Sequence, residues 1–226
     1  MRTQVLSISM LAVCAVGCGA SSESARARPA FDGRTDGPPS MQSLPDPGID
    51  HTSLTAHMQS GWSMAAEAFD VPPPAPPDAH DVATLETWSR GALRQWLEAK
   101  TRQVDEARRA LDQAAEESHP QRVMGGAIVG LMYEDIVRVL LEIPTPTELL
   151  DDPEIADAYQ DIVQFQASTY LEQARRAYRA CAGNAEQIED MERWVGFCAG
   201  RRRNLPAARE PSTAGASSSD DSSSGS

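Results

Sequence analysis

Three groupings of reactive side chains have spacings that chemistry could use. Glu116-x-x-His119 has the i, i+3 spacing of one ligand pair of a di-iron helical bundle. Such a centre needs a second pair of that kind and two further carboxylates, and His80 is the only other histidine near the helical part of the chain. The pair is therefore read as a helix end before Pro120, and no metal is assigned. Glu134 and Asp135 are consecutive acids beside Arg138, which lies four residues from one and three from the other. Their plain reading is an ion pair at the edge of an apolar stripe; the sharper one is a buried acid with a raised pKa. The last grouping is Cys181 and Cys198. They lack the C-x-x-C spacing of a redox motif, and G-x-S-x-G, H-E-x-x-H and P-loop patterns do not occur in the sequence. No catalytic residue, metal ligand or cofactor is assigned, and an enzyme is not expected.

The elements that must position these groups are helices. Val123 to Ile143, VMGGAIVGLMYEDIVRVLLEI, is the one densely apolar stretch, with Met124, Ile128, Leu131, Met132, Ile136, Val139, Leu140 and Ile143 at helical spacing. Gly125, Gly126 and Gly130 clear a line on which another helix backbone can come close. The uncharged part ends at Glu134 and is too short to span a bilayer, which needs about 20 residues. Asp81 opens a helical pattern running to about Glu117, closed by His119-Pro120. Asp152-Pro153 forms a helix start, and the pattern continues to about Ala182. A break is expected at Ala167-Ser168, because Thr169 to Glu172 has the form of a capping box. Gly183-Asn184 is expected to end that helix and Glu186 to about Arg201 to form the last one, with Arg201, Arg202 and Arg203 solvated at its negative end. The fold class is all-α: antiparallel helical hairpins forming a small bundle-like domain over residues 81–205.

Outside that domain the composition changes. Residues 1–17 have a basic start, a short apolar run and small residues before Cys18, the pattern of a secretory signal. Residues 18–80 are rich in Pro and Ser and read as a tether, with a marginal helix at 54–69 and a stiff Val71 to Pro77 spacer. Trp62 in that helix is the candidate exposed aromatic anchor. Residues 206–226 read as a disordered acidic tail.

Ala15-Val16-Gly17-Cys18 resembles the lipobox of bacterial lipoproteins. The resemblance implies cleavage before Cys18, lipidation of its sulfur, and, since Gly19 is not the retention aspartate, the periplasmic face of the outer membrane. Ala15 departs from the usual Leu, and an ordinary cleavage giving a soluble secreted protein is the rival. Cys14 would leave with the signal and Cys18 carry lipid, so Cys181 and Cys198 remain as a pair in an oxidising compartment, where a disulfide across the last two helices is expected; two buried free thiols are the alternative. Tyr159 to Cys198 resembles a tetratricopeptide (TPR) repeat, through Phe165 and the line Ala174, Tyr178, Cys181. It lacks an internal period near 34 residues, and Glu186 stands where such repeats have Pro. Lipobox, Pro-rich tether and a small helical domain with a cysteine pair together look like envelope-assembly lipoproteins of high-GC bacteria, which the arginine bias fits.

A net charge of −13 argues against nucleic acid and favours basic partners. The expected function is a helical protein–protein interaction module on an envelope lipoprotein, with an unidentified envelope protein as partner and Trp62, Glu134, Asp135 and Arg138 as candidate contacts. The alternatives are a bundle holding a small apolar ligand or lipid beside the glycine-rich helix, and a structural tether.

Overall fold

A single residue, Ser118, separates the two central helices of the protein. In the computed structural model, which describes residues 33–207, α1 spans Ala56–Phe69, α2 Val82–Trp88, α3 Arg94–Glu117, α4 His119–Leu141, α5 Pro153–Ala185 and α6 Glu192–Asn204. Ser118 is extended at φ −154°, and Pro120 follows in the first turn of α4, so the chain reverses there. Ser89–Leu93 is a π-helical turn joining α2 to α3, so residues 82–117 run as one long helix. Among the described residues there is no strand element. The fold is an antiparallel helical bundle.

The apolar stretch forms α4, the bundle's centre. It packs most extensively on α5 and α3, and it also touches α1 and α6. A helix packed on several sides needs apolar residues around its circumference, and Met124, Ile128, Leu131, Met132 and Ile136 are all fully or almost fully buried. Its glycines do what their spacing suggests. A Cβ on Gly126 would come within 3.3 Å of Cys181 Cβ, and one on Gly130 within 2.5 Å of the Tyr178 ring. The α5 side chains occupy the space that the glycines leave.

Local chemistry explains most element ends. The Thr55 side chain accepts from Met58 N at the start of α1, and Asp81 accepts from Thr84 N at the start of α2. Asp152 accepts from Glu154 N and Ile155 N before Pro153. At its C-terminal end α4 runs out into Pro144 and Pro146.

Several expectations need correction. The packed body does not begin at residue 81. Met41, Leu44, Leu54, Met58 and Ala65 belong to the same core as α4, so residues 33–69 are part of the domain and α1 is an integral helix. The Pro-rich stretch is fastened at both ends, Val71 O accepting from Trp96 Nε1 and His80 O from Thr147 N. Helix α5 is continuous through Ala167-Ser168: nothing between Pro153 and Gly183 is a helix breaker, and backbone groups already bonded within a helix leave the Thr169 capping box unused. The two helices that the tetratricopeptide resemblance places within residues 153–182 are therefore one. Helix α5 also passes Gly183-Asn184 to Ala185, and α6 starts at Glu192 rather than Glu186, after a loop in which Asp190 takes φ 66°. Arg201 is not solvated; it is 1% exposed. Cys18, the signal and the tail beyond residue 207 lie outside the described residues.

Candidate functional site

The three charged candidates on α4 are brought into one region and divided between two networks. Glu134 Oε1 accepts from Arg201 of α6 at 3.2 Å, and Glu134 Oε2 accepts from the Tyr178 hydroxyl of α5 at 2.5 Å. The Arg201 guanidinium also donates to Gly37 O at 2.9 Å and Pro38 O at 3.4 Å. Burial raises the Glu134 carboxyl above its ordinary pKa, although Arg201 and Tyr178 act in the opposite direction. The Tyr178 hydroxyl is pushed well up by its own burial and by the neighbouring carboxylate.

Asp135 belongs to the other network. Its carboxylate takes Lys100 Nζ of α3 at 2.8 Å and Arg138 Nη2 at 3.0 Å. Lys100 is fully buried, donates to Ala68 O near the end of α1, and lies 5.2 Å from the Phe69 ring centroid. Arg138 spans Asp135 and, at 2.9 Å, Glu142, and does not bond Glu134. Both readings of the sequence therefore hold on different residues: the ion pair on Asp135, the buried acid with raised pKa on Glu134. Sequence reasoning missed Lys100 and Arg201 as their partners. Lys100 is the only lysine in the chain, and at position 100 it falls on the buried stripe of α3 between Trp96 and Val104. That register was the available signal.

These networks brace the bundle. Each charged group in them has an oppositely charged partner within the protein, while Arg138 Nε and Arg201 Nε are buried without a hydrogen-bond partner. Trp62 is equally committed. It is half-buried against the core and meets His51 edge-on at 6.0 Å, so it is not the exposed anchor expected. Cys181 and Cys198 lie at bonding distance, Sγ–Sγ 2.00 Å, joining α5 to α6. Glu116 and His119 are both exposed, and among the described residues no group of three or more His, Cys, Asp or Glu is placed to hold a metal ion.

The outward-looking feature is on α5. A 33-residue helix is about 50 Å long, whereas the 23 residues of α4 reach about 34 Å. The end of α4, at Leu141, is level with Gln164, Ala167 and Ser168. The first turns of α5 therefore run past the end of α4. They are held there by Tyr159 Oη donating to Pro144 O and by Gln160 Nε2 donating to Thr145 Oγ1 at 2.6 Å. Ile155 and Ile162 on this overhang, and Phe165 level with the end of α4, are 50%, 60% and 65% exposed. At 100° per residue they share one stripe, about 150° around the helix from Val163, Ala167, Leu171, Ala174 and Tyr178, which face the core. The signal in the sequence that separates the two stripes is a jump in the phase of the apolar pattern near Phe165.

No family model, curated protein or solved structure matches the chain. The residues themselves must carry the functional reading.

Proposed function

We propose that the chain is an envelope lipoprotein, anchored through Cys18 and facing the periplasm of its bacterium, whose helical body is a protein–protein interaction module that docks a partner on the outer face of α5. The observation that carries this is the exposed stripe Ile155, Ile162, Phe165 on a helix whose opposite face packs into the core from Val163 onward. Large apolar side chains aligned on one helix face are costly to leave in water, and such a face commonly marks an interaction site. Ile49, Met64, Val82 and Leu150 are exposed on other parts of the surface, whereas Ile155, Ile162 and Phe165 align on one face of a single helix, which supports a docking surface.

The carrier alternative has less support, because the space beside Gly126 and Gly130 is filled by Cys181 and Tyr178. The structural tether alternative is open to the same experiment as the adaptor. Crosslinking in intact cells, followed by pull-down of the full chain, should recover a stoichiometric protein partner that is lost from an Ile162→Glu, Phe165→Glu variant. Recovery of the same proteins with and without the stripe, or of lipid or muropeptide only, overturns the adaptor. For the anchor, Cys18→Ser should abolish globomycin-sensitive processing; processing that persists unchanged in the variant contradicts lipidation.

A further inference from the structure

Along one edge of the exposed stripe run acids. Glu154 and Asp157 are exposed on α5, and by helical phase they and Asp161 follow the side of the helix next to Phe165. Between Arg138 and Arg175 the sequence contains no basic residue at all, while Asp and Glu recur through the connection and the overhang. The opposite edge of the stripe carries Tyr159 and Gln166, which are uncharged. The face is thus apolar along its middle, acidic along one side and neutral along the other.

Resting on the adaptor reading, we propose that the occupant of this face is a basic amphipathic helix of a partner protein. Its apolar stripe would lie along Ile155, Ile162 and Phe165, and its Arg or Lys edge along Glu154 and Asp157. The shape of the site favours a helix, since anchors separated by seven and then three residues on a straight helix suit ridges of the same period. The charge fixes its sign and its orientation, because only one edge of the stripe attracts cations. An antiparallel second copy sets acidic edge against acidic edge, where like charges repel. Anionic lipid and nucleic acid meet the same repulsion.

The test uses the full chain carrying Cys18→Ser and three synthetic helical peptides of about five turns. The peptides share one leucine stripe and differ along one edge, which carries Lys, Gln or Glu. Binding is read by fluorescence anisotropy at low and high salt. The Lys-edged peptide is expected to bind at least ~10-fold more tightly than the Glu-edged one and to lose that advantage in salt. Phe165→Glu should weaken it at least ~10-fold, with the milder Ile162→Thr moving the same way, and unchanged helical circular dichroism should show that both variants fold. Glu154→Lys with Asp157→Lys should invert the order of the peptides. Equal binding of all three, still lost in Phe165→Glu, overturns the basic partner while leaving the adaptor face intact. Absence of binding overturns the basic partner; if a photoreactive residue at position 162 then captures no protein in cells, the adaptor reading falls as well. Capture of a second copy of the chain at that position also overturns the proposal.

Discussion

Glu134 and Asp135 are consecutive on α4, and their carboxylates serve opposite sides of the bundle. Successive side chains leave a helix about 100° apart. Glu134 thereby reaches Arg201 at 3.2 Å on α6, and Asp135 reaches Lys100 at 2.8 Å on α3. Through Arg201 the first pair also holds the backbone at Gly37 and Pro38, and through Lys100 the second holds the end of α1 at Ala68. Two adjacent acids thus tie both N-terminal segments to the helices behind them.

The Lys100 pair predicts a large cost when broken. Lys100→Met removes the ammonium and leaves the buried Ala68 carbonyl without it, with Asp135 retaining only Arg138. Removing one member of a buried ion pair costs about 3–5 kcal/mol, the upper part of which the retained Arg138 should offset. Urea unfolding of Lys100→Met, Asp135→Asn and the double variant gives the coupling directly. The double variant should lose less than the sum of the singles; strictly additive losses would mean that the two groups are uncoupled.

Glu134 predicts a pH dependence of definite sign. Its pKa is raised in the folded protein, so between its ordinary value of about 4.3 and the raised value the folded state holds a proton that the unfolded chain has released. Stability must fall as pH rises across that interval. Glu134→Gln cannot titrate and should lose this component. Unfolding free energies measured from pH 4 upward for both proteins test it; parallel curves would sink the assignment.

The Cys181–Cys198 link closes a loop with a sequence separation of 17. Reduction is expected to lower stability by about 3 kcal/mol, with the chain-entropy model as its basis. Denaturant midpoints with and without reductant, beside a Cys181→Ala, Cys198→Ala variant, give the value. Mass spectrometry of the unreduced protein should show no free thiol at either position.

Two glycines predict opposite effects of the same substitution. At Gly130 a methyl group would meet the fully buried Tyr178 ring at 2.5 Å, and Gly130→Ala should destabilise the protein by about 1–3 kcal/mol. At Gly183, near the end of α5, an added Cβ has nothing within 4 Å, and Gly183→Ala should stabilise it by about 0.5 kcal/mol through helix propensity. Thermal melts of the two variants should shift in opposite directions.

By itself the sequence determined the helical class, the central helix and most of the local boundaries. Apolar spacing in Val123 to Ile143, the caps at Asp81 and Asp152, and the prolines after Ile143 are short-range signals, and each is read within a turn or two of chain. The Cys181–Cys198 pairing was also legible, once the other two cysteines were set aside. What only the tertiary structure decided is which neighbours those helices meet. Lys100 and Arg201 are cations whose burial depends on acids far away in sequence. Residues 33–69 look too polar to fold alone and are packed because α3, α4 and α6 supply the apolar surface. Ile155, Ile162 and Phe165 are exposed because they lie on the side of α5 turned away from Val163, Ala167 and Leu171, and which of two apolar stripes on one helix meets the bundle depends on where the other helices pack, which local pattern does not encode.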